Sequence, residues 1–105
     1  MIGIHVKFKI KEGEGDVLKF LDWKAREGRM QVKAQGFIKR QMTRDSENPF
    51  IFYYQSFWQS EEQMHAFSAT QTFKDAMSQT DVTNAVEWRE FSNVTEVFED
   101  IGEDW

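Results

Sequence analysis

Apolar and polar residues alternate strictly over the first ten positions of the chain. Successive side chains of a β-strand point to opposite faces of the sheet, so a period of two predicts a strand with one buried face. We therefore assign the first strand to residues 2–10. The apolar positions are Ile2, Ile4, Val6, Phe8 and Ile10, and the positions between them are Gly3, His5, Lys7 and Lys9.

The spacing of apolar residues changes after the turn-forming segment 11–15. From Asp16 onward they recur three and four positions apart, which predicts an amphipathic helix. We expect Gly28 to lie at the C-terminal cap of this helix, because helices commonly end at a glycine. The predicted helix face comprises Val17, Phe20, Leu21, Lys24 and Ala25, with Leu18 beside it.

A weaker pattern over residues 32–43 predicts a second strand with long polar side chains. The next segment, 44–49, is rich in turn formers and contains the only proline of the chain. Such a composition is typical of a hairpin loop, so we expect the second and third strands to be neighbours.

The third predicted strand, residues 50–58, is aromatic on both of its faces. A strand with one solvated face would alternate apolar and polar residues instead. Both faces of this strand therefore require cover. One face carries Phe50, Phe52, Tyr54 and Trp58, and the other carries Ile51, Tyr53 and Phe57.

A helix in two pieces follows the third strand. Ser60 and Gln63 have the spacing of a capping box, in which the serine hydroxyl accepts from the amide of residue 63 and the glutamine side chain reaches back to the amide of Ser60. Residues 68–71 interrupt the helix, and a loop at 81–84 and a last strand within 86–98 complete the chain. The first piece carries Met64 and Phe67, and the second carries Phe73, Ala76 and Met77.

The predicted order is strand, helix, strand, strand, broken helix, strand, which is the ferredoxin-like βαββαβ arrangement of the α+β class. At 105 residues the chain is expected to form one domain. Helices cover one face of such a sheet. Because the third strand is apolar on both faces, we expect a second copy of the chain to cover the open face, giving a homodimer. The alternative is a monomer whose open face binds a ligand.

Composition and charge exclude several classes of function. The chain contains no cysteine, which excludes disulfides and thiolate metal sites. Its net charge of −5 argues against a nucleic-acid partner, whose phosphates require a basic surface. No apolar run reaches the length of a membrane span and no signal-peptide pattern opens the chain, so we expect no membrane partner and a cytoplasmic location. The acidic end, about residues 99–105, is interpreted as a solvated tail.

Three short segments carry a resemblance to a known family. Gly36-Phe37 opens the second strand, the segment from Trp58 to Glu62 ends the third, and Phe67-Ser68 is followed by Thr72-Phe73-Lys74. On these residues the chain resembles the antibiotic biosynthesis monooxygenase superfamily over residues 2 to about 98. The resemblance implies a dimeric α+β barrel, a single domain of this kind over residues 1–105, and monooxygenase activity. Segment 58–77 is most similar to the haem-degrading branch.

Two positions depart from the haem-degrading branch. That branch has a histidine iron ligand where this chain has Met77, and an asparagine near the position of Val6. The cofactor-free, quinone-forming branch often has histidines near positions 67 and 72, where this chain has Phe67 and Thr72. The resemblance therefore leaves haem as a candidate cofactor and assigns none, while Trp58 is the family position that this chain retains.

The predicted site is a pocket between the helices and the sheet for a planar hydrophobic ligand. Trp58 and His5 are the candidate catalytic residues, Trp58 as a wall that stacks on the ligand and His5, or a tyrosine, as the base. Each also has a structural interpretation, Trp58 in the core and His5 at the dimer interface. The candidate ligand-binding residues are Phe73, Met77, Phe67, Tyr54 and Val6.

No metal site is predicted. His65 follows Glu62 by three residues, which is half of a di-iron motif, but the second half is missing from the sequence. We expect His65 to face solvent, and we expect Arg40 on the second strand to be a solvated surface residue.

Two functions remain open. The first is a monooxygenase-like protein that binds haem, or that oxidises a polycyclic aromatic or quinol with dioxygen. The second is a non-catalytic, ligand-binding or stress-related dimeric barrel, since fold alone does not fix function.

Overall fold

The computed structural model describes residues 1–79, 84–92 and 94–98. The predicted acidic tail and most of the predicted loop at 81–84 lie outside these ranges. The elements are β1 (Ile2–Ile10), α1 (Asp16–Gln31), β2 (Phe37–Arg44), β3 (Ile51–Trp58), α2 (Glu61–Ser68), α3 (Gln71–Met77), β4 (Val86–Phe91) and β5 (Thr95–Glu96).

The strands form one antiparallel sheet in the order β2-β3-β1-β4. β1 and β3 lie at the centre, and their pairing runs from Ile2 opposite Trp58 to Lys9 opposite Ile51. This order confirms the ferredoxin-like α+β fold that the sequence predicts. With the sheet in this register, the residues of β1 and β3 that point toward the helices define the inner face, and the others define the outer face.

The single last strand of the prediction is two strands in the structure. β4 pairs with β1 between Val6 and Ile10. β5 pairs with the first residues of β1, Ile2 and Gly3. Between these two ladders, the backbone amide of Ser92 donates to the carbonyl of His5 at 3.0 Å. The C-terminal segment therefore follows β1 over nearly its whole length.

The core lies between the inner face and α1. The ring of Phe20 packs against Phe8 and Phe52, with centroid distances of 5.0 and 5.2 Å. Burying a side chain of this size contributes about 1.5–3 kcal/mol to stability. The buried residues of this cluster are Val6, Phe8, Ile10, Phe20, Trp23, Phe52 and Tyr54.

The prediction of a helix end at Gly28 is wrong, because α1 continues to Gln31 with Gly28 buried inside it. A Cβ atom at this position would overlap the guanidinium of Arg40, which crosses from β2 over the helix backbone. The glycine therefore serves a close approach and not a cap. The predicted helix face is also rotated, since Leu18 and Ala25 are exposed while Trp23 is buried.

The broken helix is confirmed, and each piece has its own N-terminal cap. The amide of Gln63 donates to Ser60 Oγ at 3.2 Å, as predicted. The Gln63 side chain accepts from the Ser60 hydroxyl and not from its amide, so the second half of the predicted capping box is wrong. The amide of Phe73 donates to Thr70 Oγ1 at 3.2 Å. The interruption predicted at 68–71 is thus the start of a second capped helix.

Candidate active site

A cavity of about 560 Å³ lies between the inner face of the sheet and the three helices. Its volume is in the range of about 300–1,000 Å³ that is usual for ligand pockets. Six of the seven predicted site residues line it, so residues spread over most of the chain meet at one place. They are Val6, Tyr54, Trp58, Phe67, Phe73 and Met77.

Trp58 forms a wall of the cavity from the last position of β3. It is 1% exposed, and its ring lies 5.5 Å from the rings of both Phe37 and Phe67. Its indole Nε1–H donates to Ser56 Oγ at 3.1 Å. Phe67 continues the aromatic surface to Phe73, with ring centroids 5.2 Å apart. Trp58 is therefore both a core residue with a satisfied N–H and part of the lining.

The structure does not bring His5 to this cavity. His5 occupies an odd position of β1 and points to the outer face, where it lines a separate cavity of about 330 Å³. Its Nε2 atom lies 2.8 Å from Thr95 Oγ1. The two residues that sequence analysis pairs as catalytic, His5 and Trp58, are thus on opposite sides of the sheet.

A buried ionic cluster at the cavity is the main feature that sequence analysis missed. Lys24 Nζ donates to Glu27 Oε1 at 3.0 Å, and the two side chains are 3% and 4% exposed. Arg40 Nη1 lies 3.7 Å from the same carboxylate oxygen, and Nη2 donates to the backbone carbonyl of Lys24 at 2.8 Å. The expectation of a solvated Arg40 is therefore wrong, because this side chain joins β2 to α1.

Tyr54 and Gln31 extend the cluster along the sheet. The Tyr54 hydroxyl donates to Gln31 Oε1 at 2.6 Å, and Lys24 Nζ lies 3.5 Å from the centroid of the Tyr54 ring. An ammonium over the face of an aromatic ring is attracted by the ring quadrupole. The cavity thus combines apolar walls with one connected group of buried polar side chains.

Burial shifts the pKa values of two groups in this cluster. Desolvation lowers the pKa of Lys24 from 10.5 to about 8, against the opposing attraction of Glu27. Desolvation raises the pKa of the Tyr54 hydroxyl from 10.0 to about 12, with the charge of Glu27 acting in the same direction. Near neutral pH the tyrosine is therefore protonated, and a part of the Lys24 population is a neutral amine.

A signal for the cluster exists in the sequence. Lys24 falls on the predicted apolar face of α1, and Glu27 and Gln31 follow it at intervals of three and four residues. Polar residues at this spacing share one helix face. Their presence on a face that must be buried indicates a buried polar network, since unpaired buried charges are costly.

His65 lies at the rim of the cavity and its side chain is 63% exposed, as predicted. Its Nε2 atom is 3.3 Å from Glu61 Oε1, one helical turn away, and not paired with Glu62. Among the described residues, no three histidine or carboxylate side chains are grouped to hold a metal ion.

Comparison with protein families identifies the chain. Residues 1–79 match the family described as antibiotic biosynthesis monooxygenase. The chain belongs to this family. The matched segment runs from β1 to α3, so it contains every strand and helix that contributes a predicted ligand-binding residue. Membership of the antibiotic biosynthesis monooxygenase family supports a monooxygenase-like role.

Several solved structures share this fold. SnoaB from Streptomyces nogalater, described as a cofactor-independent oxygenase, is 14% identical, with 97% of each chain covered and a TM-score of 0.81. A conserved protein from Methanosarcina mazei Go1 is 19% identical, covering 90% of this chain and 89% of its own, with a TM-score of 0.76. At these identities the similarity shows the shared fold alone.

A search of curated protein sequences found no match. Over the described part of the chain, none of the helices has the length and apolar character that crossing a membrane requires.

Proposed function

We propose that this protein is an oxygenase that oxidises a planar polycyclic aromatic or quinol substrate with dioxygen, without a cofactor. The cavity beside Trp58 carries the proposal, because aromatic walls and one buried polar cluster are what a flat, weakly acidic ring system requires. SnoaB, which shares the fold, is described as a cofactor-independent oxygenase. That description supports the proposal at the level of the fold.

The proposed substrate is an anthrone-type ring, in which a CH₂ group is flanked by aromatic rings and lies opposite a carbonyl. A base removes one proton, and the anion gives one electron to dioxygen. The radical and superoxide then join at the same carbon as a peroxide, which takes up a proton and loses water to leave a carbonyl. One dioxygen is consumed, with one oxygen atom in the quinone and one in water.

In this reaction the protein positions the substrate, excludes water and transfers protons. Trp58, Phe67 and Phe73 form a continuous aromatic surface against which a flat ring stacks. The lining is predominantly apolar, and exclusion of water protects the anion from reprotonation by solvent. A polar group within the cavity is required as the base, and His5 on the outer face does not reach it.

Haem, the other candidate ligand, fits this cavity poorly, because no described histidine lies inside it to bind the iron. The position of the expected histidine ligand is Met77, which packs against the hydrophobic core. His65 is at the rim and engaged with Glu61. The Tyr54 hydroxyl donates to Gln31 and has a pKa of about 12, so it does not supply a phenolate.

We also propose that two copies of the chain pair through the outer face of the sheet. The helices α1 to α3 pack on the inner face, and the outer face presents Tyr53 and Trp88, which are 37% and 41% exposed. Lys7 Nζ lies between them, 5.7 and 5.9 Å from the two ring centroids. Packing of this surface against a second copy would bury both aromatic side chains.

The test of the proposed function uses an oxygen electrode with dithranol, a 1,8-dihydroxyanthrone, in buffer with EDTA. We expect the purified protein to accelerate dioxygen uptake at least about tenfold over the protein-free rate, with one dioxygen consumed per quinone formed. Equal rates with and without the protein would favour the non-catalytic, ligand-binding alternative.

A further inference from the structure

The charge of the cavity is opposite to the charge of the whole chain. The chain has a net charge of −5. Of the described residues that line the cavity, Glu27 is the one carboxylate, and Lys24, Lys74 and Arg89 are cations. Arg40 approaches the same carboxylate from β2 at 3.7 Å. The lining therefore has an excess of positive charge, which favours an anionic ligand.

Lys24 is the cation of this group that is least solvated. The residue is 2% exposed, and its Nζ lies between Glu27 Oε1 at 3.0 Å and the ring of Tyr54 at 3.5 Å. Glu27 is shared with Arg40, so one negative charge faces two positive charges. A buried lysine side chain in this position either loses its proton or keeps its charge by pairing with an anion.

The other titratable groups of the cavity are less suited to exchange a proton with a bound ligand. The Tyr54 hydroxyl donates to Gln31 at 2.6 Å, and burial raises its pKa to about 12. His65 is exposed at the rim beside Glu61. Lys74 is exposed as well. Lys24 is thus the buried amine that adjoins both the aromatic walls and the polar cluster.

We propose that Lys24 is the proton acceptor of the site and the partner of the substrate oxyanion. Its neutral amine takes the proton from an ionisable hydroxyl of a planar aromatic, a phenol or the enol of an anthrone. The O–H bond breaks, an N–H bond forms, and the resulting ammonium holds the oxygen anion. Loss of the enol proton gives the same anion as loss of the CH₂ proton, so this inference rests on the proposed function and supplies its base.

Four groups face Lys24 and set its protonation. Glu27 on α1 favours the ammonium, while Arg40 on β2 and Arg89 on β4 oppose it. Tyr54 on β3 presents its ring face. Burial is the largest effect, and the balance lowers the pKa of Lys24 to about 8. The neutral amine is therefore the main form of Lys24 at mildly alkaline pH.

The test uses two redox-stable probes, anthraquinone and 2-hydroxyanthraquinone, which differ by one hydroxyl. The absorption spectrum of the second changes when its hydroxyl ionises, so the ionisation midpoint is measured directly on the bound probe. An apolar cavity alone raises the pKa of a phenol, whereas an adjacent cation lowers it. In the wild-type protein we expect the midpoint to fall by about one pH unit, a tenfold shift in the ionisation equilibrium.

Two substitutions separate a role of Lys24 in ionisation from a structural role. In Lys24→Met the midpoint of the bound probe should rise above that of the free probe, because the apolar cavity remains and the cation is lost. In Glu27→Gln the midpoint should fall further, because the competing carboxylate is removed. If the cluster has a purely structural role, the ionisation midpoint of the bound probe should shift in the same direction in both variants. Circular dichroism confirms that each variant is folded.

The two proposals fail in different ways. If both probes bind and the midpoint in the wild-type protein is unchanged or raised, Lys24 is not the proton acceptor, while the proposed pocket stands. If neither probe binds, the proposed planar substrate is wrong and the assignment of Lys24 falls with it. Binding of both probes with a lowered midpoint that is lost in Lys24→Met supports both proposals.

Discussion

Lys24 Nζ lies 3.5 Å from the centroid of the Tyr54 ring, with the carboxylate of Glu27 at 3.0 Å on another side. The ring replaces water as a neighbour of the ammonium and provides a weaker attraction in its place. This contact links α1 to the central strand β3 at the edge of the cavity. It makes one side chain important for the stability of the fold and for the proposed chemistry of the site.

Stability should therefore rise with pH between about 8 and 10. The pKa of Lys24 is about 8 in the folded protein and 10.5 in the unfolded chain, so the unfolded state binds more protons over this interval. From these two values we expect the free energy of unfolding to increase by about 2 kcal/mol from pH 8 to pH 10. Urea unfolding at a series of pH values measures this increase in the free energy of unfolding.

One substitution identifies Lys24 as the source of that rise, and the titration of Tyr54 limits the rise at high pH. Above pH 10 the trend should reverse, because the Tyr54 hydroxyl ionises near 10.0 in the unfolded chain and near 12 in the folded protein. In Lys24→Met the rise between pH 8 and 10 should disappear. A flat profile in the wild-type protein would show that Lys24 is not desolvated as described.

Substitution of Gly28 by alanine should destabilise the protein, although alanine is the better helix former. The added methyl group overlaps the guanidinium of Arg40 and displaces it from the carbonyl of Lys24 and from Glu27. Overpacking of this kind typically costs about 1–3 kcal/mol. The free energy of unfolding in urea gives the value.

Arg40→Ala provides the matched background for this test. With the guanidinium removed, the same Gly28→Ala change should become neutral or stabilising by up to about 1 kcal/mol, as helix propensity predicts. If Gly28→Ala lowers the free energy of unfolding equally in both backgrounds, Gly28 is required for a reason other than the approach of Arg40.

Trp58→Phe should weaken substrate binding more than it alters the fold. Phenylalanine keeps an apolar ring at the end of β3 but shortens the wall against Phe67 and leaves Ser56 Oγ without the indole donor. A stacking contact is worth about 1 kcal/mol, which corresponds to a rise of about fivefold in the KM for dithranol. Trp88→Phe on the outer face is the control, and its KM should not change.

Light scattering of the wild-type protein should give twice the 12.5 kDa of one chain. Trp88→Arg places a positive charge beside Lys7 in the middle of the outer face and should produce monomers, because like charges in an interface repel each other. Leu18→Arg is the control, since Leu18 is 72% exposed on α1 and outside that face. A wild-type monomer would remove the proposed interface.

The order of elements was predictable because most of the strands and helices have a period or a cap in the sequence. The alternation from Ile2 to Ile10 and the cap at Ser60 are local signals, and they are confirmed. The cap at Thr70 was not predicted. The aromatic residues of the site were predictable as well, since Trp58 and Phe73 belong to segments that resemble a family. Such signals depend on neighbours in the sequence.

The ionic cluster depends on the tertiary structure. Arg40 and Gly28 are twelve positions apart in the chain and belong to different elements, so nothing local predicts that one passes over the other. His5 is the contrasting case, because the strand period alone predicts the face of the sheet on which it lies. Its odd position in β1 already places it on the face opposite Val6 and Trp58.

The most direct test of the proposed function compares dioxygen uptake with dithranol in the wild-type protein and in Ile4→Trp. Ile4 is half-buried and lines the cavity, so the larger ring fills the space proposed for the substrate. Leu18→Trp adds the same residue at an exposed helix position as the control. We predict acceleration by the wild-type protein and by Leu18→Trp, with a loss of at least about tenfold in folded Ile4→Trp. Equal acceleration by all three proteins would contradict oxidation in this cavity.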